Sequence, residues 1–312
     1  MNLTISPCPN DTFTFHALAH GLVPGAPAVD VRYADVDVTN TLAVDTDLDL
    51  VKVSYAALPW LLDRYELLPC GGALGRGCGP LLLARGPASP GLRIAGSAAT
   101  EATREGGASS GPRARASGAS ASDSARSALS SVDGLRVAVP GDRTTAYLLM
   151  RLWMGSTSSG ARPASIEVVP FASIMPGVAA GDYDAGLVIH EARFVYPRFG
   201  LTSIVDLGEW WESTTGLPIP LGAILARRGA VDAAAATGWI RESVRRAWAD
   251  PSLSREYVLA HAQEMEQDVV DQHIKLYVNE FTHDLGDEGY RAVRGLLNRA
   301  ADAGLVPAVS DL

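Results

Sequence analysis

The sequence predicts an α/β protein of two lobes joined by a two-stranded hinge, and three observations carry that expectation. Short apolar runs of strand length alternate with segments of helical apolar spacing, the order that builds largely parallel sheets covered by helices. The strand-like segments fall into two groups, 29–83 and 135–189, each large enough for a sheet. Two extended strands ending in arginine, Leu81-Leu82-Leu83-Ala84-Arg85 and Ala223-Ile224-Leu225-Ala226-Arg227, flank the second group as a hinge pair would. The expected division is 1–82 with 222–312 as one lobe and 83–221 as the other. Ligands of such proteins sit in the cleft between the lobes.

In chain order, residues 3–6 start a strand. A Pro-Cys-Pro-Asn-Asp-Thr turn follows, from which Asp11 or Thr12 can cap a helix running to about His20. Residues 29–36 alternate apolar and polar, as a half-buried strand should. Residues 48–54 form the next strand and 55–62 read as helical. The stretch 71–80 is glycine-rich and leads into strand 81–85. Strand 135–140, a turn at 141–143 and a helix from Thr144 to about Met154 follow. Strand 166–169, helix 172–180 and strand 185–189 complete the second group. After Trp210 come strand 221–227 and helices over 232–248, 252–262, 267–277 and 288–303.

One segment falls outside this pattern. Of the 37 residues 95–131, 26 are Ala, Gly or Ser, and Leu129 is the single bulky apolar residue. Such a stretch cannot bury enough surface to offset about 1–2 kcal/mol of backbone ordering per residue. It is expected to be a flexible, disordered insertion in a surface loop, which is tolerated because closure entropy grows only logarithmically with length. Neutral loop expansion and a partner-binding tail are both compatible with it. It separates two similar phrases, Gly91-Leu92-Arg93-Ile94-Ala95 and Gly134-Leu135-Arg136-Val137-Ala138. The second continues into a full strand and helix start, so it is expected to be the native strand.

Composition narrows the function. The 312 residues are 47% hydrophobic with mean hydropathy +0.10, a globular balance with room for two domains. Net charge is −9, which disfavours nucleic acid and anionic membrane surfaces as partners. No apolar run reaches the roughly 18–20 residues of a membrane span. No secretory signal is visible, and Cys8, Cys70 and Cys78 cannot all pair, so a cytoplasmic location is expected.

The candidate chemistry lies at strand and helix ends. His190 follows the apolar strand 185–189, at the carboxyl end where open α/β sheets place ligands. Imidazole titrates near neutrality and can accept a proton; a hydrogen-bonded structural histidine would also fit there. Gly141-Asp142-Arg143-Thr144-Thr145-Ala146-Tyr147 is a turn entering a helix, whose free amides suit a carboxylate. An ordinary Thr144 cap is the plain alternative, and the absence of a phosphate-loop signature argues against a nucleoside triphosphate. Lys52 and Ser54 share one face of a strand end. Buried there, the lysine needs an anion, either a ligand or an aspartate. The glycines of 71–79 would let backbone approach a ligand closely, although glycine-rich hinges are common.

Other features point away from metals and known hydrolase or dinucleotide motifs. His16 and His20 lack further ligands, and Cys70 and Cys78 match no metal spacing, so no metal is expected. His261, His273 and His283 read as surface or packing residues, and Trp210-Trp211 as core or hinge packing. No G-x-S-x-G elbow joins an expected strand to a helix, and no G-x-G-x-x-G fingerprint is present.

Six phrases together resemble the 1,4-dihydroxy-6-naphthoate synthases of the futalosine route to menaquinone. They are Ser6-Pro7-Cys8-Pro9-Asn10-Asp11-Thr12-Phe13, Lys52-Val53-Ser54-Tyr55-Ala56-Ala57, Gly71-Gly72-Ala73-Leu74-Gly75-Arg76-Gly77, Thr144-Thr145-Ala146-Tyr147, Ile189-His190-Glu191-Ala192-Arg193-Phe194 and Leu217-Pro218-Ile219-Pro220-Leu221-Gly222-Ala223-Ile224. The resemblance covers nearly the whole chain outside 95–131.

The resemblance implies a fold like a type 2 periplasmic binding protein, used as a cytosolic enzyme. It implies a carboxylate-bearing substrate, cyclic dehypoxanthinylfutalosine, cleaved to 1,4-dihydroxy-6-naphthoate and a dihydroxyacetone fragment without a cofactor. His190 matches the family's proton acceptor. Lys52, Val53 and Ser54 match its first substrate-binding segment, and Thr145 with Ala146 its second. Two competing functions share the lobes: a chorismate dehydratase of the same pathway and a transporter's solute-binding protein. A ligand-sensing regulator would also need a DNA-binding helix-turn-helix, for which the elements above leave no residues.

Overall fold

The computed structural model describes residues 1–86, 132–156, 160, 162–262, 266–310 and 312. In chain order the first part holds β1 (Asn2–Ile5), α1 (Pro9–Ala19), β2 (Asp30–Tyr33), α2 (Val36–Asp45), β3 (Leu50–Ser54), a 3₁₀ turn (Tyr55–Trp60), β4 (Tyr65–Leu67) and β5 (Ala73–Gly75). Next come β6 (Leu81–Arg85), β7 (Arg136–Val139), α3 (Thr145–Met154), β8 (Ser165–Val168), α4 (Phe171–Ala180), β9 (Ala185–Val188), α5 (Ala192–Val195), β10 (Leu201–Asp206) and α6 (Leu207–Thr215). After β11 (Ile219–Arg227) the chain is helical: α7 (Ala233–Ala249), α8 (Arg255–His261), α9 (Gln267–Tyr277), α10 (Glu280–His283) and α11 (Gly286–Asp302). The expected insertion at 95–131 and the first phrase at 91–95 lie outside the described residues.

Two sheets form, one per lobe. The first runs β2-β1-β3-β11-β4, with β5 also paired to β11; the second runs β10-β6-β9-β7-β8. β3 (LVKVS) is buried along its whole length, as befits a central strand covered on both faces. β1 pairs in parallel with β2 and β3, and β7 in parallel with β8 and β9. β11 runs antiparallel to β3, β4 and β5, and β6 antiparallel to β9 and β10. Both sheets are therefore mixed, which corrects the expectation of largely parallel ones. The strands that carry the chain between lobes enter each sheet against its parallel set.

A second correction concerns β6. Strands through Leu83 were expected in the first sheet, yet Leu82 pairs with Leu187 of β9 and Ala84 with Thr202 of β10. The chain crosses earlier, over 76–80, and returns over 216–218. Glycine permits the first crossing: a Cβ on Gly79 would lie 2.3 Å from Gly208 Cα. Arg193 ties the crossing down by donating to Gly79 O at 2.7 Å while paired with Asp206. The return is held by Trp211, whose buried indole donates to Pro218 O at 3.0 Å.

Helix starts follow local chemistry. α1 begins at Pro9, where proline's missing N–H removes no helical bond, rather than at a cap by Asp11 or Thr12. α3 begins after Thr144, whose hydroxyl accepts from Tyr147 N at 3.2 Å. The apolar face of α3, including Leu149, Met150 and Trp153, joins a core cluster with Leu58 and Leu296 of the first lobe. Each such side chain contributes about 1.5–3 kcal/mol on full burial. The start of α3 is thereby anchored against the opposite lobe.

Candidate active site

The cavity between the lobes encloses about 630 Å³ of space including its mouth. Lys52, Ser54, Thr145, Ala146 and His190 all line it. Val53 does not: period two along β3 turns it into the core cluster on the opposite face, fully buried.

The first-lobe wall is a closed hydrogen-bond network. Lys52 is paired with Asp11, and both side chains are buried. The Asp11 carboxylate also accepts from Ser6 N at 3.2 Å, Ser6 Oγ at 2.6 Å and Asn10 Nδ2 at 2.8 Å. The lysine reaches this partner over Gly222, where a Cβ would stand 2.9 Å from Lys52 Cε. Ser54 is fixed by Asn40, which accepts from Ser54 N at 2.7 Å and donates to Ser54 Oγ at 3.1 Å. Both groups are thus held in place before any ligand arrives.

The second-lobe wall offers a helix end and an imidazole. The first helical bond of α3 runs from Leu148 N to Thr144 O, so the amides of Thr145 and Ala146 have no acceptor within the helix. The Thr145 hydroxyl joins the lobes. It donates to Leu221 O at 2.9 Å and accepts from Ala56 N at 3.3 Å. Asn40 Nδ2 adds a bond to Arg143 O at 3.3 Å. These contacts draw the helix end up against the first lobe.

His190 leaves β9 with φ 54°, the one non-glycine residue at positive φ among those described. Holding such a conformation costs on the order of 1–3 kcal/mol. It turns the ring into the cleft, between the main cavity and a smaller pocket lined by Cys8, Asp35, Asp37 and Glu191. Phe171 stands edge-on to the ring at 5.7 Å. Burial, followed by the Lys52 cation, lowers the His190 pKa to about 3. The imidazole is therefore neutral at cellular pH and able to accept a proton.

Helix α9 adds groups that sequence reading did not place here. His273 was read as a surface or packing residue, but it is fully buried beside the site. Its Nε2 lies 2.9 Å from Asn10 Oδ1, and its ring stacks on His190 at 6.2 Å. Since Asn10 Nδ2 donates to Asp11, Asn10 Oδ1 accepts and Nε2 carries the proton. Tyr277, one turn further on, lines the cavity with its ring 4.6 Å from that of His273. A signal was available: Val269, Val270, His273 and Tyr277 share a helical stripe and are all buried.

Other candidates fall elsewhere. The glycines of 71–79 do not line the cavity, although Ala73 and Cys78 among them do. Gly72 instead serves close backbone packing, 2.5 Å from Gly222 O at its would-be Cβ. Burial pushes the Cys78 thiol up to about 12, so it is no thiolate at neutral pH. All three cysteines are free and buried. His16 and His20 pack ring to ring at 4.4 Å and are not among the cavity-lining residues. No helix among the described residues is long and apolar enough to cross a membrane.

Comparison with known proteins bears on this arrangement. The menaquinone biosynthesis family profile matches residues 1–103 and 119–302. A 1,4-dihydroxy-6-naphthoate synthase of Streptomyces coelicolor is 53% identical over 99% of this chain and 95% of its own length. One from Thermus thermophilus is 42% identical over 98% and 95%. A crystal structure of an Archaeoglobus fulgidus protein superposes with TM-score 0.77 at 26% identity, covering 98% of both chains. The periplasmic aliphatic sulphonate binding protein of Escherichia coli superposes with TM-score 0.59 at 11% identity, over 99% of this chain and 88% of that one. That likeness concerns the fold, which is the two-lobed one of periplasmic binding proteins. By its family profile and by its identity to the synthases, this chain belongs to the menaquinone biosynthesis family that includes the 1,4-dihydroxy-6-naphthoate synthases.

Proposed function

We propose that this chain is a lyase that converts cyclic dehypoxanthinylfutalosine to 1,4-dihydroxy-6-naphthoate and dihydroxyacetone, with His190 as general base. The observation that carries it is the pair lining one cavity: a neutral imidazole on a strained strand end, and the free amides of α3. The two synthase relatives supply the substrate class. The Thr145 and Ala146 amides hold the substrate carboxylate, where the positive helix end favours an anion. Lys52 and Ser54 bind polar oxygens on the other wall. His190 removes a proton, the ring system opens, and carbon–carbon cleavage releases the three-carbon fragment.

The two lobes, joined by the crossings at 76–80 and 216–218, close over the substrate and exclude water. Aromatisation of the product supplies the drive and the reaction involves no net redox change, so no cofactor is invoked. A small-molecule carboxylate is the sole partner proposed, in the cytoplasm.

Incubating the purified protein with the cyclic substrate tests this. Naphthoate absorbance should appear in the presence of protein alone. Consumption of chorismate in place of the cyclic compound would assign the chain to the dehydratase reaction. Binding of the cyclic compound without turnover would make it a solute-binding protein.

A further inference from the structure

We propose that Tyr277 is a second catalytic residue, its phenol donating a hydrogen bond to a substrate oxygen that gains negative charge as His190 removes the proton. This rests on the lyase reading above. Tyr277 projects from α9 into the cavity that holds His190 and Lys52, and is only 6% exposed. Its hydroxyl makes no hydrogen bond to any described residue, yet it is not sealed from solvent space.

The other hydroxyls and amides of that wall are engaged. Ser6 and Asn10 both donate to Asp11. Thr39 donates to Val36 O, Thr144 to Gly141 O, and Thr145 bridges the lobes. Among the hydroxyls that line the cavity, the hydrogens left to point at a ligand are those of Tyr277 and Ser54. Burial raises the Tyr277 phenol well above its ordinary pKa. It therefore stays protonated and serves as a donor rather than as a base.

The phenol is also held rigidly. His273 stacks between the rings of His190 and Tyr277 and is fastened to Asn10. A fixed donor aimed at developing charge needs no reorganisation during reaction, and loss of one such donor typically lowers kcat by about 10²–10³-fold. The electron pair freed by proton removal is delocalised onto the oxygen, and the phenol proton stays on Tyr277. No further reactant is required.

The test is Tyr277→Phe, which deletes one oxygen and keeps the ring stack. With the cyclic substrate, kcat should fall about 10²–10³-fold, with KM and the thermal midpoint near wild type. Wild-type kcat, or a defect confined to KM, would overturn the assignment. Should that variant fail to fold, replacement of Tyr277 by 3-fluorotyrosine, a more acidic phenol of similar size, decides the matter. A kcat raised above wild type supports the donor, and an unchanged or lowered kcat contradicts it. If the wild-type enzyme itself leaves the substrate unchanged, the lyase reading falls and takes this proposal with it. Wild-type turnover with an unimpaired Phe variant removes this proposal alone.

Discussion

On the first-lobe wall of the cavity, Lys52 faces Asp11, Asp11 collects bonds from Ser6 and Asn10, and Ser54 is locked by Asn40. On the second-lobe wall, the first amides of α3 have no helical acceptor and the His190 ring makes no hydrogen bond to a described residue. The Lys52–Asp11 pair and the Asn40–Ser54 bonds of the first wall form without a ligand and shape a rigid mould. The second holds back its binding groups and stores strain at φ 54°. The contrast teaches a division of labour. Buried charge pairs set the shape of the site, whereas an imidazole and a helix end, both electrostatically incomplete, await an anion. An anionic ligand near His190 would oppose the influence of Lys52 and make proton acceptance easier.

The comparison can be broken most severely at His190. Replacing it by Ala should lower kcat by about 10²–10⁴-fold while substrate binding, followed by calorimetry, remains measurable. Retained turnover would mean the open wall carries no base. The closed wall is challenged by Asp11→Asn, which leaves the Lys52 charge buried without its partner. Chemical denaturation should show a loss of about 3–5 kcal/mol. A change below about 1 kcal/mol, the level of an exposed pair, would show that this wall is not closed.

Acid sharpens the contrast next. The His190 pKa is about 3 in the fold against an ordinary 6.5. Burial likewise holds His273 well below its usual range. The unfolded chain therefore binds more protons than the folded one below pH about 6.5, and stability should fall as pH drops from there towards about 3. By the same sign, the acid limb of kcat/KM should lie well below the usual imidazole value. An acid limb at about 6.5 would place His190 in open water. The smallest effect is expected at Thr144→Ala, which removes the cap of α3. It should cost about 1 kcal/mol of stability and weaken substrate binding more than it lowers kcat.

The two walls were not equally legible in the sequence. His190, Thr145 and Ala146 sit at the end of an apolar strand and the start of a capped helix, features encoded within a few neighbouring residues. Lys52 was recognisable as a cation needing a partner, but its partner lies 41 residues away and meets it only in the folded lobe. His273 and Tyr277 were missed for the same reason. Their stripe on α9 marks a buried face, and nothing local says that the face borders the cleft. Val53 shows the converse: a contiguous phrase held three residues, and strand alternation sends the middle one into the core. In the fold, β6 was recognised as a strand but assigned to the wrong sheet. Its partners β9 and β10 lie more than 95 residues downstream, across the segment 87–131.

The most direct measurement of the two-wall account is a crystal structure of His190→Asn soaked with the cyclic substrate. The substrate carboxylate should accept from the Thr145 and Ala146 amides, with polar oxygens towards Lys52 and Ser54. A carbon-bound hydrogen should point at residue 190, its carbon about 3–3.5 Å from the Asn side chain. A carboxylate seated on Lys52, or a substrate with no C–H near residue 190, would contradict the account.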